Sequence, residues 1–448
     1  MAIRLVIPIL LLYIFQGCAT EYSKEKIVSV AENYLSEGKP ERAYLEFKSV
    51  IDEASDDLEL HREFIKFAVR LHRCDDALDY YNKYREGQKR HVYFYAKALL
   101  GVSCLISNKN EIMDYFEEAI RLRPDDKEIR MRYAVVLAEY DMYDKALNEF
   151  VKLSQVISNS ASLYSYIALC SAYLGEAETV RKSVRDMLLL NFSSQDLKRA
   201  TESLSIINFH CLDVPDDIRD EFTRVFDMII LEDKPAQARE IIENLLSSYP
   251  KVPALHLLKS ISLSLTGEYS SALYELNYLG DSFESCGHFQ YASGIIYLGV
   301  QRNEKALSLF ERAIELDPLF VSVYKILSEL YLERQDYLKA ADVLNIYLKL
   351  NPDDHKNRFL YGRTLVKLGR IKEAEDQFNY IFEHDPDNIF GLVGKGIVEK
   401  EYAKLSRDRR KRENHLKNSL NYLNMAIKKD PENENIKSLI KFINGEEE

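Results

Sequence analysis

The side chains that most often carry chemistry are scattered along this chain of 448 residues. None of the nine histidines lies at metal-ligand spacing from another, and the sequence has no paired-cysteine motif. A glycine-rich string, Gly391, Gly394, Lys395 and Gly396, has the composition of a phosphate loop, but neither serine nor threonine follows its lysine. The string also falls inside a predicted helix, where helix packing explains glycine better. The sequence therefore predicts no catalytic, cofactor or metal site and a protein that is not an enzyme.

Cys18 is the residue for which a covalent modification is predicted. Arg4 precedes an apolar run at residues 5–15, and Gln16, Gly17 and Cys18 follow that run. The run is too short to span a bilayer as a stable helix, and its layout is that of a secretory signal peptide. A cysteine directly after the small residue resembles the bacterial lipoprotein signal, which implies lipidation of Cys18.

This resemblance implies that residues 1–17 are removed and that residues 18–23 tether the mature chain to a membrane. The alternative is an uncleaved signal anchor in which Cys18 is incidental. Ala19 stands where inner-membrane lipoproteins of some bacteria carry aspartate. The expected location is therefore the bacterial cell envelope, in the outer membrane and facing the periplasm.

The other cysteines are odd in number and lie in separate parts of the chain. At most two pairs could form among them in an oxidising compartment, and we expect them to serve mainly as small buried apolar residues. They are Cys74, Cys104, Cys170, Cys211 and Cys286.

The helices that position all these residues can be predicted from a sequence repeat. Alanines recur every 34 residues, and in four of these five units a proline follows the alanine by twelve residues. Apolar residues at three and four spacing on both sides of a short polar turn predict two amphipathic helices in each unit. The alanine marks the point where the two helices cross, and the proline ends the second helix. The markers are Ala238, Ala272, Ala306, Ala340 and Ala374, with Pro250, Pro318, Pro352 and Pro386.

These units resemble the tetratricopeptide repeat. The resemblance implies an all-α fold, a right-handed superhelix of helix-turn-helix units with a concave groove for a peptide or partner helix. It also implies a binding scaffold rather than a catalyst. The unit at residues 287–320 carries the pattern most fully, with Gly294, Tyr297, Ala306, Phe310, Ala313 and Pro318.

The register of the repeat predicts two segments. We expect an N-terminal array at residues 24–194, an irregular helix and break at 195–218, and a C-terminal array at 219–448. The break is interpreted either as a hinge or as a degenerate repeat that packs normally. A basic insertion near 402–415 precedes a capping helix, and we interpret its charges mainly as a solvated surface.

The groove prediction rests on the positions of each unit's first helix that line the concave side in this family. We call these positions the concave slots. In two units these slots are apolar, which predicts a binding strip for an apolar or amphipathic segment of a protein or peptide partner. The alternative is that tight winding buries these residues against neighbouring units. The strip consists of Leu257, Leu258, Ile261, Leu265, Tyr291, Ile295 and Leu298.

The net charge of −12 argues against nucleic acid as a partner, because phosphate binding relies on clustered lysine and arginine. The leading hypothesis is a lipid-anchored scaffold that assists assembly of a pilus, secretion or outer-membrane complex. The alternative is an accessory lipoprotein of exopolysaccharide synthesis and export.

Overall fold

The computed structural model describes residues 24–53, 58–71, 73–77, 94–95, 97–98, 101, 108–208, 214–230, 232–280 and 283–445. No strand occurs within these ranges, so the all-α fold predicted from the sequence is confirmed. Cys18 and the signal-like residues before it lie outside them. The chain divides into an N-terminal unit, which ends at Ile157, and a C-terminal unit, which begins at Ser158.

The described helices are numbered α1 to α22 in chain order. The N-terminal unit contains Lys24–Ser36 (α1), Pro40–Glu53 (α2), Leu58–Arg70 (α3), Lys109–Leu122 (α4), Lys127–Glu139 (α5) and Tyr143–Ser154 (α6).

The C-terminal unit begins with three helices, Ala161–Tyr173 (α7), Ala177–Leu188 (α8) and Ser194–Asn208 (α9). A short 3-10 turn at Asp216–Ile218 then leads into a regular series of helix pairs. The pairs are Arg219–Ile230 (α10) with Pro235–Ser248 (α11), Pro253–Leu265 (α12) with Tyr269–Leu279 (α13), Gly287–Gly299 (α14) with Asn303–Leu316 (α15), Val321–Glu333 (α16) with Tyr337–Leu350 (α17), His355–Lys367 (α18) with Ile371–His384 (α19), and Ile389–Leu405 (α20) with Arg409–Lys429 (α21), followed by Glu434–Asn444 (α22).

The repeating alanines lie where the sequence places them, at the contact between paired helices. Each is fully buried, which confirms that the small side chain lets the two helix axes approach. Phe310 and Phe378, four residues after two of these alanines, are also fully buried. The buried set is Ala43, Ala77, Ala146, Ala238, Ala272, Ala306, Ala340 and Ala374.

In five consecutive pairs, from α10 and α11 to α18 and α19, the turn uses one residue with left-handed backbone conformation. This residue recurs at 34-residue intervals, and it is aspartate at Asp233, glycine at Gly267 and Gly369, and glutamine at Gln301 and Gln335. The two glutamines have φ of 61° and 59°. A side chain with Cβ is less stable in that conformation, so these two turns are held by their helices rather than by their own preference.

The first helices of the C-terminal unit also pack on helices much later in the chain. Arg181 on α8 donates from Nε to the carbonyl of Leu316 at 3.1 Å, at the end of α15. In the reverse direction, Lys349 on α17 donates from Nζ to the carbonyl of Leu188 at 3.0 Å. Arg181 therefore caps the carboxyl end of α15 and Lys349 caps the carboxyl end of α8, where helix carbonyls lack partners.

The predicted break at 195–218 lies inside the C-terminal unit, whereas the compact units divide at Ile157 and Ser158. Helix α9 covers the irregular stretch and packs on α7 and α8 through Ala200 and Leu204, both buried. Residues 209–213 of the break lie outside the described residues, so the choice between a hinge and a packed repeat stays a prediction.

The basic insertion lengthens one helix pair rather than forming a loop. Helix α20 has 17 residues and α21 has 21, whereas α18 and α19 have 13 and 14. Only residues 406–408 separate the two long helices. Helix α22 then packs on this pair through the buried Ile436.

Candidate functional site

The apolar strip predicted as a groove is mostly core. Five of its side chains are buried, among them Leu257, Leu258 and Ile261, which have no exposed surface. Tyr291 and Ile295 are 5% and 9% exposed and belong to the same core. Leu298 is partly buried, and Leu265 is 37% exposed. The strip as predicted is therefore not an open surface of the folded chain.

Tight winding of the first helices explains this burial. Phe226 on α10 contacts His288 on α14 with ring centroids 5.5 Å apart, although α12 lies between these helices in sequence. His288 also packs on Phe320 at 4.6 Å, and Tyr291 packs on the same ring at 5.0 Å. Aromatic contacts between units two apart close the space over α12.

An open groove instead lies farther along the C-terminal unit, among α18, α20 and α22. We call it the C-terminal groove. Its volume is about 820 Å³, which is within the range of ligand pockets. Three successive first helices of the repeat line it. The lining residues used below are Phe359, Arg363, Lys367, Phe390, Val393, Ile397, Lys400, Glu401, Lys404, Leu439 and Phe442.

The floor of the C-terminal groove is apolar and aromatic. Phe359 packs on Phe390 with centroids 5.4 Å apart, and on the buried Phe378 at 5.7 Å. Val393 is nearly buried, whereas Phe442 on α22 is 53% exposed. A large aromatic side chain left half in water beside a concave apolar floor is typical of a site for a partner's apolar side chain.

One wall of the groove is cationic. Lys400 Nζ lies 5.0 Å from the centroid of the Phe442 ring, a cation–π contact, and 4.0 Å from the Glu401 carboxylate. Lys404 Nζ pairs with the same carboxylate at 2.8 Å. Burial lowers the pKa of Lys400, and repulsion from Lys404 and Lys367 lowers it further. The wall therefore holds several positive charges around one carboxylate.

The sequence contained a signal for this groove that the strip prediction passed over. Counted from the start of α18, the fifth, ninth and thirteenth residues are Phe359, Arg363 and Lys367, and all three line the groove. Counted from the start of α20, the second and fifth residues, Phe390 and Val393, line it as well. These positions are the family's concave slots, and they lie in units that the predicted strip does not include.

The N-terminal unit has a groove of about 790 Å³ with a different charge arrangement. Glu32 and Lys66 are two of the charged residues that line it. Their charges are matched within the groove, because Arg70 pairs with Glu32 at 2.7 Å and Lys66 pairs with Glu128. Matched charges leave less reason for a charged partner to bind.

The glycine-rich string of the sequence is a packing feature of α20. A Cβ on Gly394 would lie 2.2 Å from Cδ1 of Phe378, and one on Gly396 would lie 2.8 Å from Cγ of Leu423. These glycines let neighbouring helices approach, as the packing interpretation predicts. Within the described ranges, no group of three potential metal ligands occurs, and no helix is long and apolar enough to cross a membrane.

The described cysteines are of two kinds. Cys74 and Cys286 each take part in a disulfide bond, which is the pairing that the sequence left open, and Cys286 is also buried in the apolar core. Sequence spacing alone does not reveal which cysteines the fold brings together. Cys170 is a buried thiol, as predicted, and burial raises its pKa to about 12.

Helix pairs in a 34-residue repeat, with a groove lined by successive first helices, define a tetratricopeptide-repeat α-solenoid. A family model described as anaphase-promoting complex, cyclosome, subunit 3 matches residues 299–380. The matched region spans three of the helix pairs described above in whole or in part.

Comparisons with individual proteins give partial matches. Tetratricopeptide repeat protein 6 of Homo sapiens is 25% identical over 122 residues, which are 25% of this chain and 22% of that protein. Anaphase-promoting complex subunit 3 of Schizosaccharomyces pombe is 29% identical over 107 residues, which are 23% of this chain and 16% of that protein. The chain thus spans less than a quarter of the length of these curated relatives. The crystal structure of YrrB, a TPR protein with an unusual peptide-binding site, is 20% identical and covers 45% of this chain and 97% of that chain, with a TM-score of 0.38.

Proposed function

We propose that this protein is a non-catalytic scaffold that binds a protein partner in the C-terminal groove. The observation that carries the proposal is the open concave space among three successive first helices, with Phe442 half in water at its edge. The partner contributes an apolar or amphipathic segment, because the floor of Phe359, Phe390 and Ile397 offers apolar contact. The mechanism is equilibrium binding.

We further propose that the scaffold is a lipoprotein of the bacterial cell envelope, anchored through Cys18 in the outer membrane. Two observations support this. The first seventeen residues have the layout of a lipoprotein signal. The disulfides at Cys74 and Cys286 are typical of proteins in oxidising compartments such as the periplasm. In that location the scaffold assists assembly of a pilus, secretion or outer-membrane complex.

A matched pair of substitutions tests the groove. Phe442 and Leu405 are both exposed apolar residues, at 53% and 68%, but only Phe442 lines the groove. Cells expressing Phe442→Asp, Leu405→Asp or the parent chain are cross-linked chemically, and the adducts are identified by mass spectrometry. Phe442→Asp loses adducts that the parent and Leu405→Asp retain. Identical adducts from all three chains would refute binding in this groove.

A further inference from the structure

We infer that the segment bound in the C-terminal groove is acidic, with carboxylates placed beside its apolar side chains. This inference rests on the proposed protein-binding function and adds the chemical class of the partner. It follows from the distribution of charge around the groove.

The hairpin of α20 and α21 reverses the charge of the rest of the molecule. Residues 389–429 contain eleven basic and four acidic side chains, a net charge of +7 in a chain whose net charge is −12. A patch of opposite sign on an acidic protein steers a partner of matching negative charge toward it.

Part of this positive charge faces the groove. Arg363, Lys367, Lys400 and Lys404 line it, and Glu401 is the one acidic side chain among the lining residues. Glu401 is already shared by Lys400 and Lys404. Within the described ranges, neither Arg363 nor Lys367 forms an ion pair, and both are exposed. The groove therefore has cations available to carboxylates of a bound segment.

The cations on the wall also repel one another. Burial lowers the pKa of Lys400 first, and the nearby charges of Lys404 and Lys367 lower it further. A carboxylate entering the groove would offset that repulsion, and it would do so in a partly desolvated place where charge pairing is stronger than in water.

The shape of the groove favours a polypeptide over a membrane or a nucleic acid. Its cations surround a concave apolar floor, which suits a segment that inserts apolar side chains better than it suits a flat bilayer surface. Val393, Ile397 and Leu439 on the floor are aliphatic, so they suit an apolar side chain better than a stacked base. The exposed basic tip at residues 407–412 is accessible to all three kinds of partner and does not distinguish them.

A peptide selection tests the inference without a known partner. A random peptide library displayed on phage is selected on the full chain held in neutral-lipid nanodiscs, and in parallel on Lys367→Glu and Lys417→Glu chains. Lys417 is an exposed lysine of α21 that does not line the groove, so it controls for the charge change. The pools from the parent and Lys417→Glu are enriched in aspartate and glutamate together with apolar residues, and the Lys367→Glu pool is not.

One selected peptide is then synthesised with its glutamates and with glutamines in their place. The glutamate form binds about tenfold more tightly at low salt, and the ratio falls as salt rises. Equal affinities, or no acidic enrichment, would overturn the inference. Displacement of the peptide by phosphatidylserine vesicles that depends on Lys367 would overturn it in favour of a membrane.

The outcomes separate this inference from the proposed function. Neutral apolar peptides whose binding is lost in Phe442→Asp refute acidic selectivity and leave the groove as a protein-binding site. Selected peptides that bind Phe442→Asp as well as the parent refute both.

Discussion

Gly394→Ala provides the sharpest test of how the repeats pack. The ring of Phe378 is fully buried between glycines of two successive first helices. A Cβ on Gly394 would lie 2.2 Å from its Cδ1 atom, and a Cβ on Gly362 would lie 2.4 Å from its Cε1 atom. The ring is confined on both sides, so it cannot move away from an added methyl group without shifting a helix.

Two opposing terms set the expected magnitude. In an open helix, glycine to alanine would stabilise by about 1 kcal/mol, because alanine has the higher helix propensity. Overpacking a confined core site costs about 1 to 3 kcal/mol, and the confinement of Phe378 favours the upper end. We therefore expect Gly394→Ala to lower the free energy of unfolding by about 1 to 2 kcal/mol.

Urea unfolding followed by circular dichroism measures this change, and a second substitution identifies its cause. Phe378→Leu removes the ring that the methyl group would contact. In the double variant the added alanine should cost less than it does alone, with a coupling energy of about 1 kcal/mol or more. If Gly394→Ala stabilised the parent chain, the close approach of Phe378 to α20 would be wrong.

Four further predictions follow from individual residues. Cys18→Ser should release the protein from membranes or leave an unprocessed precursor, because its thiol is the lipid acceptor that we propose; fractionation with labelled fatty acid measures this, and a soluble, unlabelled parent would reject the anchor. Ala306→Phe lowers the free energy of unfolding by about 1 to 3 kcal/mol through overpacking at a fully buried helix crossing, and an unchanged urea midpoint would mean that the repeat register is wrong. Gln335→Gly raises the free energy of unfolding by about 0.5 to 1 kcal/mol, since φ of 59° favours glycine; a loss of stability would show that its side chain contributes more than the backbone conformation costs. Burial lowers the pKa of His288 to about 4 from 6.5, so the folded state resists protonation and stability falls by about 3 kcal/mol as the pH drops from 6.5 to 4; His288→Phe should remove most of that part of the pH dependence in urea unfolding.

The repeat and its helix pairs could be predicted from the sequence because they depend on local pattern. Ala306 and Ala340 are small residues at one register position, and a helix crossing there needs a small residue whatever surrounds it. Likewise, Gly394 and Gly396 lie on a helical face, and their packing role follows from their place in the predicted helix.

The position of the groove could not be predicted in the same way. Whether a concave slot is open depends on how closely first helices two units apart approach. At Leu258 the approach of Phe226 to His288 closes the space, whereas at Phe390 the space stays open. Both residues occupy apolar slots in the sequence, so local pattern does not separate them.

The disulfides and the charge of the long hairpin also depend on the fold. Nothing in the spacing of Cys74 or Cys286 indicates a partner, because disulfide pairing is set by distances in the folded chain. The basic run at 407–412 was visible in the sequence, but its continuity with Lys400 and Lys404 on the groove wall follows from the extension of α20.

Site-specific photo-cross-linking tests the central claim most directly. A benzophenone amino acid is placed at Ile397, on the groove floor, or at Leu405, on the same helix outside the groove, and intact cells are irradiated. The C-terminal groove predicts a discrete protein adduct from position 397 that disappears when Phe442→Asp is added, and no such adduct from position 405. The same adducts from both positions, or none from position 397, would contradict a protein-binding role for this groove.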